Sequence, residues 1–375
     1  MKFVLFVAFC SGLVVAASGG PATPAQDKSS SRIFVNVVLV QLNVAVTDRH
    51  GNYITGLRPE NFDITEDKIS EKIATFEEGG APGSGMGNAA EPDRSSVSPE
   101  AASPAENAKD EAGANAAGAS VSRLAGASVF ILFDSSDYMY RGFVFAQDAI
   151  AGFVRSIEQA DRIAYYSYSR NLSRATALTT DRTLVMQGVR STVAGDEAAL
   201  YNCLLLTVRD AAQLRGRKAV VVFSNGPDNA SSVPPEDVEE LAQSTGTIIY
   251  IISTRQAQDD PLSSAVFERM SKGTGGKAYF AKDWRDENLA FASIREDLAH
   301  LYTISYYPKP NPNRGWRTIS VKLVGKDLGK YHVRTRDGYR LQEQIPTASQ
   351  ATSGQASETD FSGKQPSTGS SQEHP

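Results

Sequence analysis

Two kinds of hydrophobic pattern run along the chain. Between residues 127 and 300, short runs that are apolar at nearly every position alternate with longer stretches whose apolar residues recur every three to four positions. The runs at 128–133, 162–168, 218–223, 247–252 and 278–280 predict strands buried on both faces. The spacing at 143–157, 181–192, 200–214, 262–271 and 287–300 predicts helices. Pro234-Pro235-Glu236-Asp237 opens a further helix, with proline in the first turn and acidic residues that suit the helix dipole. Strands alternating with helices predict an α/β unit, a doubly wound and mainly parallel sheet covered on both sides. Ligands of such sheets sit beyond the carboxyl ends of the strands. That places attention on Asp134-Ser135-Ser136-Asp137 and on Ser224-Asn225-Gly226-Pro227-Asp228.

The flanks have a period of two. Val38, Val40, Leu42, Val44 and Val46 alternate with Gln41, Asn43 and Thr47, which predicts a strand from Phe34 with one buried face. A strand pair is predicted across 62–64 and 69–76, turning at Glu66-Asp67-Lys68. At the other end, 301–307 is apolar and aromatic. Arg317, Ile319, Val321 and Leu323 then share one parity, 325–329 reads as a hairpin loop leading to Tyr331, Val333 and Thr335, and Asp337-Gly338 reads as a turn. Neither flank has enough strands for a core of its own. Residues 60–78 hold seven acidic and two basic side chains, and residues 301–341 nine basic and two acidic. Opposite charge favours their contact, so 32–78 and 301–341 are expected to form one small all-β, sandwich-like domain around the α/β unit at 127–300. The alternative for the basic strands is an anionic polymer as ligand.

Composition sets off the rest. Met1-Lys2, an apolar run at 3–17 and Ala16-Ala17-Ser18-Gly19 form a secretory signal peptide over 1–18. Phe9 stands where a lipoprotein signal needs a small residue before its Cys (here Cys10), so the reading is export to the periplasm or medium without a lipid anchor, and without membrane insertion after cleavage. Residues 79–126 and 342–375 are rich in Ala, Gly, Ser, Pro, Gln and Thr and are expected to be a disordered linker and tail.

Charge and chemistry narrow the function. A net charge of −5 argues against a nucleic-acid partner. Two Cys exclude a disulfide framework, and four scattered His show no metal-ligand spacing. Cys203 reads as a buried helix residue without an activating base. No phosphate-binding glycine loop or nucleophile elbow is present. The expectation is a protein that is not an enzyme; the alternative is an extracytoplasmic enzyme of unrecognised type. Tyr138, Met139, Tyr140 and Phe143 cluster near the first strand end, either as core of the first helix or as a patch for a protein partner.

Three segments resemble the von Willebrand factor A domain. SVFILFDSSDYM is similar to its first strand and D-x-S-x-S loop, ALYNCLLL to its third-helix start, and KAVVVFSNGPDN to its fourth strand. With the flanking VTDRHGNYITGLRPENFDITED, LYTISYYP and VRTRDGYRL, residues 32–341 outside the linker resemble bacterial secreted VWFA-related proteins of unknown function. The resemblance implies a doubly wound sheet with one antiparallel edge strand, an adhesion-like role and a Mg²⁺ site at the sheet edge. The site departs from the family pattern. Asp134 and Ser136 match the first two ligands, but Tyr138 replaces a Ser, Ala198 a Thr, and Asn225 an Asp that would bring a second carboxylate. Asp134, Ser136 and Asn225 are the candidate metal ligands of a degenerate site, with Asp137 and Asp228 as nearby carboxylates that could compensate. No cofactor is expected, Mg²⁺ being the ion an intact site would hold. Ser135, Asp137, Tyr138 and Asp228 are the candidate residues for a protein partner.

Overall fold

The computed structural model describes residues 39–79, 126–157, 161–254 and 260–341. The signal segment, the start of the strand read from Phe34, the body of the linker and the tail lie outside the described residues. Strands β1 (Val40–Thr47), β2 (Phe62–Glu66), β3 (Ile69–Glu71) and β4 (Ile73–Glu78) precede the α/β unit. That unit contains β5 (Ser128–Asp134), α1 (Phe143–Ser156), β6 (Arg162–Tyr168), β7 (Leu172–Thr179), α2 (Arg182–Arg190), α3 (Leu200–Ala212) and β8 (Lys218–Phe223). It continues through α4 (Pro235–Thr245), β9 (Ile248–Thr254), α5 (Pro261–Gly273), β10 (Ala278–Ala281) and α6 (Trp284–His300). Four strands follow: β11 (Tyr302–Tyr306), β12 (Trp316–Leu323), β13 (His332–Arg334) and β14 (Gly338–Arg340).

The central sheet has six strands in the order β10-β9-β8-β5-β6-β7, parallel except for β7. Alternation along the buried strands sorts the helices. Val129, Ile131 and Phe133 of β5 pack with α1, α2 and α6, while Phe130 and Leu132 pack with α3, α4 and α5. Asp181, Asp260 and Asp283 cap α2, α5 and α6 by accepting backbone N–H bonds in each first turn. The antiparallel edge strand is β7, which no apolar pattern marks: its side chains are mostly exposed and its register against β6 is irregular.

Both flanks share two four-stranded sheets, ordered β13-β1-β11-β4 and β14-β12-β2-β3. Val40, Leu42, Val44 and Val46 of β1 face Phe62 and Ile64 of β2, Tyr302, Ile304 and Tyr306 of β11, Ile319 and Tyr339 in one core. The opposite face of β1 is also covered: Ala45 joins the core of the α/β unit, and Asn43 Nδ2 donates to the Gly246 carbonyl at 3.4 Å. The single strand read at 69–76 breaks at Lys72. β3 pairs with β2, whereas β4 crosses to the other sheet beside β11, a strand switch that makes a sandwich corner. The β2–β3 turn holds Asp67 and Lys68 at φ 48° and 70°, the left-handed pair that a two-residue hairpin needs. The hairpin read at 325–329 does not form: β12 pairs with β2 and β14, and β13 joins β1 in the other sheet. Gly338, read with Asp337 as a turn, is the first residue of strand β14.

Charge does join the flanks, through one buried pair. Arg317 Nη1 meets Glu66 Oε1 at 2.6 Å, and Tyr306 and Tyr339 donate to Glu66 Oε2 at 2.8 and 2.9 Å. Other basic residues turn to the helix C-termini, where partial negative charge collects. Arg336 donates to Gln243 O at the end of α4, Arg334 to Gly275 O just past α5, and Arg217 to Leu298 O in α6 at 2.9 Å.

Candidate functional site

β5 ends at Asp134, and the chain turns through Ser135 and Ser136 into a short 3₁₀ helix, Asp137–Gly142, that runs into α1. Asp134 is fully buried. Its Oδ1 accepts the Ser136 backbone N–H at 2.9 Å, the local bond by which an Asp favours such a turn. Its Oδ2 accepts the Ser224 hydroxyl at 2.7 Å, and Tyr168 OH donates to Ser224 Oγ at 3.0 Å. The ends of β5, β6 and β8 are thus tied by one carboxylate–hydroxyl–phenol chain. Burial holds the Asp134 carboxyl above the usual range, against the hydrogen bonds it accepts. Burial and then the Asp134 charge raise the Tyr168 phenol well above its ordinary value.

The neighbouring residues are taken up by the loops. Ser135 directs its N–H and its hydroxyl to Tyr168 O, at 2.7 and 2.9 Å. Ser136 Oγ is buried without a hydrogen-bond partner. Asn225 Nδ2 donates to the Tyr138 carbonyl at 2.6 Å, closing the first loop onto the β8 loop. The half-buried Tyr138 ring packs toward the α3–α5 side, and its hydroxyl accepts from Asn229 Nδ2 at 3.4 Å. Ala198 presents a fully buried methyl, and its N–H donates to Asn229 Oδ1 at 2.9 Å. Asp228 is engaged by backbone amides: Oδ2 accepts Tyr201 N–H at 3.0 Å and Oδ1 accepts Ser231 N–H at 2.8 Å, so it caps the first turn of α3 from outside the helix. Asp137 is exposed, with its backbone N–H on Asp196 O at 2.9 Å.

Asp134, Ser135, Ser136, Tyr138 and Asn225 therefore come together, while Asp137 points outward and Asp228 serves the helix. Tyr168 and Ser224 complete the cluster. Ser224 was visible only as the start of a strand-end turn, and Tyr168 only as the last residue of a strand. Cys203 lies buried in α3, where burial and then the charges of Asp228 and Asp134 push its thiol up to about 12. Of Tyr138, Met139, Tyr140 and Phe143, Met139 is buried, the Phe143 ring lies tilted against Phe133 with centroids 5.3 Å apart, and Tyr140 stands 77% exposed.

A strand-end Asp-x-Ser loop on a doubly wound sheet is joined by hydrogen bonds to the loop after β8, and residues 128–294 match the family model described as von Willebrand factor type A domain. This segment is a von Willebrand factor type A domain. No curated protein matches the sequence. Solved structures similar to the chain include an aerotolerance-related membrane protein from Bacteroides fragilis, at 17% identity over 46% of this chain and 98% of that one, TM-score 0.40. They also include the vWF domain of the type V pili tip protein Mfa5 from Porphyromonas gingivalis, at 13% identity, 46% and 94% coverage, TM-score 0.38. A von Willebrand factor type A structure from Catenulispora acidiphila gives 11% identity, 56% and 66% coverage, TM-score 0.41.

At the A-domain edge, the oxygens that a divalent cation would need are in part engaged in hydrogen bonds and in part replaced. Mg²⁺ demands octahedral oxygen coordination. Here the buried Asp134 carboxylate accepts hydrogen bonds at both oxygens, Asn225 brings a neutral amide oxygen in place of a second carboxylate, and position 198 offers a methyl. Ser136 Oγ is the single orphaned oxygen beside Asp134. Among the described residues, no three Asp, Glu, His or Cys side chains gather as a metal group.

Proposed function

We propose that the chain is an exported, non-catalytic protein-interaction module of adhesion type, whose A-domain edge works without a resident metal. The observation that supports this is the engagement of both Asp134 oxygens by Ser136 N–H and Ser224 Oγ, which fixes the edge loops by hydrogen bonds alone. The chemistry nearby supports binding over catalysis. The described histidines belong to the β1 turn, the end of α6 and β13, on the sandwich side, and the thiol of Cys203 is buried and protonated. No helix among the described residues is long and apolar enough to cross a membrane.

The test is capture of binding proteins from the exported fraction, with EDTA or Mg²⁺, by the intact chain and by Asp137→Arg. The expected result is a partner retained in EDTA and lost on Asp137→Arg. Capture that requires Mg²⁺ and fails for Asp134→Ala, or a turnover activity that maps to this edge, would overturn the reading.

A further inference from the structure

The start of α1 breaks its own amphipathic pattern. Ala146, Gln147, Ala149, Ile150, Phe153 and Val154 are buried, yet Val144 and Phe145 stand 62% and 64% exposed, next to Tyr140. A fourth exposed apolar residue, Val193, lies in the loop that follows α2. Gln147 Nε2 donates to Val189 O at 2.7 Å, and Arg190 pairs with Asp148 at 2.7 Å, so the end of α2 lies against α1 one turn below Val144. The chain then climbs until Gly195 N–H reaches Ser135 O at 2.7 Å and Asp196 O accepts from Asp137 N–H. Val193, 80% exposed, is held between these two anchor points. The patch thus lies to the α1–α2 side of Asp134. Exposed apolar groups that cluster and include aromatics mark contact surfaces.

Charge selects the occupant. The Asp137–Asp196 backbone bond sets two exposed acidic residues side by side at the rim, and no ion pair holds either carboxylate among the described residues. Arg190 at the end of α2 and Arg170 after β6 are already paired, with Asp148 and Glu197. An acidic rim disfavours an anionic bilayer surface and favours a cationic partner. We propose that Tyr140, Val144, Phe145 and Val193, with Asp137 and Asp196, form the docking surface for a protein segment that carries a lysine or arginine next to an apolar side chain. This rests on the interaction-module reading and adds the chemistry of the partner.

The experiment uses the full chain and two fluorescein-labelled decapeptides, one alternating lysine with leucine and one alternating glutamate with leucine, read by anisotropy at low and high salt. The lysine peptide binds and the glutamate peptide does not. Phe145→Gln with Val193→Ser weakens binding at least tenfold. Asp137→Asn with Asp196→Asn weakens it at least fivefold and flattens the salt dependence. Glu60→Gln with Glu77→Gln, an equal charge change on the sandwich, leaves it unchanged. Val193→Ser alone, in a loop, reports on the patch independently of helix α1. Equal binding of both peptides, equal loss in the sandwich control, or indifference to Phe145 and Val193 overturns the proposal. So does sedimentation showing that the patch variants abolish only self-association, since the occupant is then a second copy. Partner capture that depends on Asp137 but not on Phe145 or Val193 leaves the interaction-module reading standing while this proposal falls.

Discussion

The Arg334 guanidinium holds both carboxylate oxygens of Asp297 at 2.5 Å, fastening the end of β13 to the last helix of the A domain. Asp297 is wholly buried and also accepts Tyr53 OH at 2.6 Å and Tyr250 OH at 2.7 Å. Tyr53 follows β1, Tyr250 is central in β9 and Arg334 ends β13, so one carboxylate gathers the N-terminal flank, the parallel sheet and the C-terminal flank. Each oxygen has its donors, the condition under which a buried ion pair is tolerated.

Removing Arg334 leaves the Asp297 charge buried and, among the described residues, with only Lys277 Nζ opposite it, 4.0 Å away. Arg334→Met is expected to destabilise the chain by about 3–5 kcal/mol, the usual cost of breaking a buried pair from one side. Arg334→Met combined with Asp297→Leu recovers a large part of that loss. Urea unfolding of the two singles and the double measures the coupling. Additive losses would show that the two residues do not act as a unit.

The strands that pair with β1 come from the far end of the chain, β11 on one side and β13 on the other, with one local bridge from Thr47 to Tyr53 at its end. A chain ending at residue 300 therefore loses both ladders of β1. The amides of residues 41–46 are expected to lose hydrogen-exchange protection in that truncation while those of β5 and β8, paired within the A domain, stay protected. Retained protection in β1 would contradict the shared sheet.

The legible parts of the fold are those where burial is symmetrical. β5, β6 and β8 are buried nearly throughout and mostly apolar because helices cover both faces, and β1 alternates cleanly toward the sandwich core. β7 escapes notice because an exposed polar edge strand carries no hydrophobic signature. The β12–β13 hairpin was misplaced because period-two alternation fixes which face is buried, not which neighbour is paired; β13 satisfies the same parity beside β1. At the site, the type of residue was readable and its direction was not. Asp228 and Asp134 are both loop aspartates at strand ends, but only the bond from Asp228 to Tyr201 N–H distinguishes a helix cap from an edge carboxylate. Tyr140 and Phe143 likewise differ by one turn of backbone that sends one outward and the other into the core.

Glu287 makes stability depend on pH. It sits buried in the first turn of α6, Oε2 has no hydrogen-bond partner, and burial with the nearby Asp283 charge pushes its carboxyl up to about 7 from 4.5. The native state thus keeps a proton that the unfolded chain releases. Its contribution is fully present below pH 4.5 and is lost as pH rises through 7. Glu287→Gln is expected to raise the melting temperature at pH 8 and to leave it nearly unchanged at pH 4.5. An equal shift at both pH values would assign the effect to packing.

The last prediction concerns Mg²⁺ itself. A ligand that binds only the folded state adds RT ln(1 + [L]/Kd), roughly 2.7 kcal/mol at a hundredfold excess over Kd. A site with Kd near ~0.1 mM would then raise the melting temperature by several degrees at ~10 mM Mg²⁺. The natural chain is expected to shift by less than about 1 °C, because Asp134 already spends both oxygens on Ser136 and Ser224. Tyr138→Ser, Ala198→Thr and Asn225→Asp together supply two hydroxyls and a second carboxylate. They also remove the Asn225 amide bond to Tyr138 O and add bulk at a fully buried methyl. The triple variant should therefore melt lower than the natural chain in EDTA and regain several degrees in Mg²⁺, but not in Na⁺ of equal ionic strength. A large Mg²⁺-specific shift in the natural chain, abolished by Asp134→Ala, would mean that Ser136 Oγ and Asn225 reorganise around a cation, and that the edge is a working metal site.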